Sequence, residues 1–138
     1  DGSRTYLQRG MLKASHRAID TTRSDYSGTT LYRPWRPHTN PTTITPLAVN
    51  EYTIEVFPLG HVFRPGHRLI VKISAPPILD SFYAYVPKVA PSVNTVFHTA
   101  TQRSRLMLPV VPLTGVQLGP ELPCGAQEAV RCIPAPNG

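Results

Sequence analysis

Glu51-Tyr52-Thr53-Ile54-Glu55-Val56-Phe57, then Arg64-Pro65-Gly66-His67, then Arg68-Leu69-Ile70-Val71-Lys72-Ile73-Ser74 is the stretch that decides the fold. In the first segment Tyr52, Ile54 and Val56 share one face and Thr53 and Glu55 the other, the period-two alternation of a half-buried strand. In residues 67–75, Leu69, Val71 and Ile73 alternate with Arg68, Lys72 and Ser74, with Ile70 the exception. Between the two lies a proline at the second and a glycine at the third position of a four-residue turn. That is the signature of a type II turn, whose third residue needs positive φ.

Outward from this centre the pattern stays extended. Pro76-Pro77 ends the second strand, and residues 78–92 carry Phe82, Tyr83 and Tyr85 among prolines, a loop or short edge strand. Residues 93–98 and 105–111 read as a hairpin: Val93, Thr95 and Phe97 alternate on one arm, Leu106, Leu108 and Val110 on the other, with Thr99–Ser104 as the turn. Pro109 marks an edge or an end of the second arm. Toward the N-terminus, residues 20–48 read as one long irregular connection in which Tyr32 and Trp35 are anchors for packing on a neighbour. Residues 5–19 are ambiguous: Leu7, Met11, Ala14, Ala18 and Ile19 recur at near-helical spacing, but Gly10 weakens a helix by about 1 kcal/mol relative to alanine.

Composition narrows the architecture. Among 138 residues there are 16 prolines and 9 glycines, about 18% together, below the 25–30% of low-complexity disorder. A proline inside a helix costs about 3 kcal/mol or more, so long helices are nearly excluded beyond residue 33, and with them a helical bundle or a doubly wound α/β plan. The length suits one domain, and four or five strands in it make a sparse all-β sandwich. No apolar run is long enough for a transmembrane helix, and no membrane partner is expected. The formal charge of +6 is spread along the chain without a basic stripe, so nucleic-acid binding is not expected. Eleven of the 14 basic residues are arginine, which suits fixed bidentate pairing with carboxylates.

Catalytic signatures are missing. None of the eight serines sits in Gly-x-Ser-x-Gly, and no phosphate-cradling glycine loop occurs. The adjacency of Ser15 and His16 carries no meaning, because triad partners meet in space. Glu51 and Glu55 read as solvent-facing charges on the polar side of a strand, and no carboxylate pair has glycosidase spacing. His61 and His67 bracket the Pro-Gly turn and, with His16 or His98, are the only metal-site candidates; no acidic or cysteine ligand is placed with them, so neither metal nor cofactor is expected. Cys124 and Cys132 are too few for a four-ligand zinc site and lack Cys-x-x-Cys spacing. A local disulfide is the favoured reading, with two reduced cytosolic thiols as the alternative. A bridge would favour a secreted or extracytoplasmic protein.

Three segments together resemble one family. They are Tyr6-Leu7-Gln8-Arg9-Gly10-Met11-Leu12-Lys13-Ala14-Ser15-His16-Arg17, then residues 55–69 with Phe63-Arg64-Pro65-Gly66-His67-Arg68-Leu69 at their centre, then Ser104-Arg105-Leu106-Met107-Leu108-Pro109-Val110. In order and spacing they look like the C-terminal, non-catalytic domain of the cocaine-esterase and X-prolyl dipeptidyl-peptidase family of hydrolases. The resemblance covers about residues 1–112, and residues 113–138 form a proline-rich tail outside it.

The resemblance implies a jelly-roll β-sandwich, similar to galactose-binding-like modules, that packs on an α/β-hydrolase domain carrying a Ser-Asp-His triad and shapes its active-site entrance. It makes residues 5–14 a strand. It leaves no catalytic residue in this chain, since none of the triad positions exists here. The family domain is longer, and the chain opens at Asp1. The expectation is therefore a fragment of a serine hydrolase of esters, amides or X-Pro peptides, whose sandwich is completed by the missing N-terminal jelly-roll strands and whose partner is the catalytic domain. In it Pro65, Gly66, His67 and Arg68 form the structural turn. Ile54, Val56, Leu69, Val71, Ile73, Leu106 and Leu108 fill the core, and Trp35, Tyr83 and Tyr85 face the hydrolase domain. A carbohydrate-binding jelly-roll module is the alternative, and a structural or interaction protein a third reading.

Overall fold

A computed structural model describes residues 2–75, 93–126 and 131–135. Tyr83 and Tyr85 lie outside the described residues. Regular structure is β apart from one 3-10 turn at Ala14–His16, and no described helix is long and apolar enough to cross a membrane. The strands are short: β1 (Arg4–Thr5), β2 (Asp25–Ser27), β3 (Thr30–Arg33) and β4 (Cys132–Ile133). The chain divides into two compact units, residues 1–62 with 110–138, and residues 63–109.

In the first unit β1 pairs antiparallel with β4, Arg4 opposite Ile133 and Thr5 opposite Cys132, and the Tyr6 N–H donates to the Arg131 carbonyl at 2.7 Å. The proline-rich tail thus supplies a strand to the N-terminal segment. The disulfide Cys124–Cys132 closes a loop of that tail, its Cα atoms 5.4 Å apart. The Thr5 hydroxyl donates to Cys132 Sγ at 3.7 Å.

Residues 20–48 are not irregular throughout. β2 and β3 form an antiparallel hairpin with Tyr26 opposite Leu31 and Ser27 opposite Thr30 around a two-residue Gly28-Thr29 loop. The Ser-Gly dipeptide between Tyr26 and Leu31 is the local turn signal that produces it.

The helical lean of residues 5–19 is not realised beyond the single 3-10 turn. Gly10 makes an antiparallel bridge to Val56 instead. A Cβ added at Gly10 would fall on the Glu55 carbonyl oxygen, well inside van der Waals contact, so only glycine lets the two backbones approach this closely.

In the second unit, Gly66 has φ of +85° and the His67 N–H donates to the Arg64 carbonyl at 3.1 Å, the geometry of a turn with positive φ at its third residue. At the other turn the Thr99 N–H donates to the Gln102 carbonyl at 3.1 Å, and the Ser104 hydroxyl to the Phe97 carbonyl at 2.7 Å. Beyond these turns the arms 67–75 and 93–98 with 105–111 carry no β-ladder among the described residues.

Burial departs most from a closed sandwich. The seven side chains expected to fill the core are between 44% and 69% exposed, and Pro34 is the one buried residue among those described. The physical reason is geometric. A strand buries its apolar face only against a second layer, and the described residues do not supply one.

Candidate functional site

The best-connected part of the first unit is the hairpin β2–β3 with its flanks. The Asp20 N–H donates to the Trp35 carbonyl at 2.9 Å, while the Trp35 N–H donates to the Ser24 hydroxyl at 2.9 Å and that hydroxyl donates to the Asp20 carbonyl at 2.7 Å. Entry and exit of the hairpin are thereby tied together. Asp20 Oδ1 accepts from both the Thr22 hydroxyl at 2.6 Å and the Thr22 N–H at 3.0 Å, an Asx-type turn. These bonds, the Thr22 hydroxyl first, outweigh desolvation and, with Arg23 nearby, hold the Asp20 carboxyl below the usual carboxylate range.

On this frame sits an open cleft of about 360 Å³ lined by Arg23, Asp25, Arg33, Pro34, Trp35, Arg36 and Glu55. The Arg23 guanidinium lies 3.7 Å above the centre of the Trp35 ring, a cation–π stack. Arg33 pairs across the hairpin with Asp25 at 3.6 Å and reaches Glu55 at 3.9 Å. Arg36 donates to the Thr53 carbonyl, and its Nε is buried without a hydrogen-bond partner among the described residues. Burial pushes the Arg36 guanidinium down from its ordinary value, with the Glu55 charge opposing.

These contacts turn the 51–57 segment around. Thr53 and Glu55, expected to face solvent, are half-buried, Glu55 toward Arg33, while Tyr52, Ile54 and Val56 are the exposed side. Glu55 is a partner of Arg33, not a solvated charge. The signal for this was long-range: Glu55 and Arg33 are far apart in sequence, and the excess of arginine over lysine was its only trace.

Arg17 donates to the carbonyls of Ala14 at 3.3 Å, Thr42 at 3.2 Å and Thr43 at 3.3 Å, and the Thr42 N–H donates to the Ser15 carbonyl at 2.7 Å. His16 meets His38 through their Nδ1 atoms, 3.1 Å apart. Among the described residues no three His, Cys, Asp or Glu side chains are grouped to hold a metal ion.

Of the residues singled out in the sequence, Trp35 is half-buried in the cleft, Pro65, Gly66 and His67 make their turn, Arg68 is exposed, and Cys124 and Cys132 are bonded. The cleft has the hydrogen-bond donors and fixed charges of a binding surface. It holds no nucleophile placed against a general base.

Residues 1–106 match the family model of the X-Pro dipeptidyl-peptidase C-terminal non-catalytic domain. Two curated proteins, each named "putative serine esterase", from Mycobacterium bovis and Mycobacterium tuberculosis, are 28% identical to the chain over 110 residues, 80% of this chain. The chain spans 17% of the length of these relatives. No solved structure matches it.

Proposed function

The chain belongs to the X-Pro dipeptidyl-peptidase C-terminal non-catalytic domain family, and we propose that it works as part of a β-sandwich packed on the catalytic domain of a serine hydrolase. The observation that carries this is the open apolar side of residues 51–57. Ile54 and Val56 are each 46% exposed in an alternating segment whose polar side is already engaged by arginines. A family domain without catalytic residues and with an uncovered apolar side is built to be covered. The covering layer is a jelly-roll partner sheet, of the galactose-binding-like type, together with the α/β-hydrolase domain. The role is structural, shaping the entrance through which an ester, amide or X-Pro peptide reaches a triad held elsewhere.

A fluorophosphonate probe tests this. In the native source, the polypeptide carrying this chain is expected to label at an activated serine outside residues 1–138 and to elute as a monodisperse species. The isolated chain is expected to bind a hydrophobic dye and self-associate through its uncovered side. An unlabelled, monodisperse 15.2 kDa species that binds no dye would overturn the reading.

A further inference from the structure

His16 and His38 are 22 residues apart in sequence, yet their Nδ1 atoms stand 3.1 Å apart. The ring centroids are 5.2 Å apart and the ring planes inclined at 36°. Backbone on both sides sets this approach. His16 ends the Ala14–His16 turn, and its N–H donates to the Lys13 carbonyl at 2.8 Å. His38 follows Pro37 with φ of +57°, a region that few non-glycine residues adopt. Flanking the pair, Arg17 donates to the carbonyls of Thr42 and Thr43, and the Thr42 N–H to the Ser15 carbonyl, so the two segments are tied together. His16 is half-buried and His38 exposed.

A neutral imidazole carries a proton on one nitrogen and a lone pair on the other, so one Nδ1 of the pair donates and its neighbour accepts. The same spacing fits a shared ion. At metal–nitrogen bonds of about 2.0–2.1 Å, two ligand nitrogens stand about 2.9 Å apart across a right angle and about 3.3 Å apart across a tetrahedral one. The observed 3.1 Å lies between these values. We propose that His16 and His38 bind one divalent transition-metal ion through both Nδ1 atoms, with water completing its coordination. Imidazole suits Cu2+, Ni2+ and Zn2+ rather than Mg2+ or Ca2+, and Cu2+ is held most tightly of these. On binding, the donor ring carries its proton on Nε2 instead, which frees both Nδ1 lone pairs. The Arg17 guanidinium is turned onto backbone carbonyls, away from this role. No third His, Cys, Asp or Glu joins the pair among the described residues, so affinity rests on two nitrogens and is modest.

Titration with Cu2+ of the polypeptide that carries this chain tests this. The variants are His16→Ala, His38→Ala, the two combined, and His98→Ala as a control. Each single variant is expected to lose one equivalent of bound Cu2+. The double variant loses that same equivalent and not two, and His98→Ala binds as the wild type does. Uptake unchanged in either single variant, or two equivalents lost in the double, overturns the proposal. A measurement on the unsubstituted polypeptide separates binding from any folding effect of the substitutions. Cu2+ is expected to shield His16 and His38 from diethylpyrocarbonate, read by mass spectrometry, while Mg2+ does not and His98 stays reactive. Full reactivity of His16 and His38 in saturating Cu2+ overturns the proposal as well. None of these outcomes depends on packing against a catalytic domain.

Discussion

Gly10 and Arg17 show what the first matching motif does physically. Gly10 lets the segment cross the backbone at Val56, and the Arg17 guanidinium gathers the carbonyls of Ala14, Thr42 and Thr43. Both positions act on backbone, so the requirement is for the residue itself and not for its polarity. Gly10→Ala is expected to destabilise the domain by about 1–3 kcal/mol, the usual cost of forcing atoms into filled space. Chemical denaturation of the hydrolase polypeptide reads this as a lower midpoint, and an unchanged midpoint would mean that the two backbones do not meet there. Gly10 was legible in the sequence only as a weakness in a helix. Its partner at Val56 was not, because a close approach between distant segments leaves no local pattern.

At the scale of elements, local chemistry was readable and long-range pairing was not. Pro65-Gly66 announces its turn because proline fixes φ at the second position and glycine permits the positive φ of the third. The alternation of residues 51–57 was equally plain, yet it misplaced Glu55, since which side is covered depends on what approaches it. The hairpin β2–β3 was hidden among threonines, serines and prolines, although Ser27-Gly28 marks its tip. The pairing of β4 with β1 had no sequence signal beyond the nearby cysteines. The disulfide closes a short loop that ends in β4 and is worth about 2–3 kcal/mol in the chain-entropy picture. Cys132→Ser is therefore expected to loosen β4, and hydrogen exchange at the Tyr6 amide, bonded to the Arg131 carbonyl, should speed up about tenfold or more. Unchanged exchange would show that β1 holds β4 without the bridge.

For the molecule as a whole, the family and the β character of the described residues agree with one another. The exposed apolar side chains make the structure intelligible as one layer of something larger. Glu55 pairs with Arg33 and the Thr53 carbonyl accepts from Arg36, while Ile54 and Val56 are exposed. Burial belongs to two surfaces, which is why the sequence could display the alternation without disclosing its cover. The measurement that bears on this most directly is amide hydrogen exchange over residues 51–57 and 67–75, compared between the isolated chain and the polypeptide that includes the catalytic domain. The account predicts slow exchange in the larger protein and fast exchange in the isolated chain, a difference of at least about tenfold. Equal exchange in the two would mean that nothing covers these segments, and the packing role would be wrong.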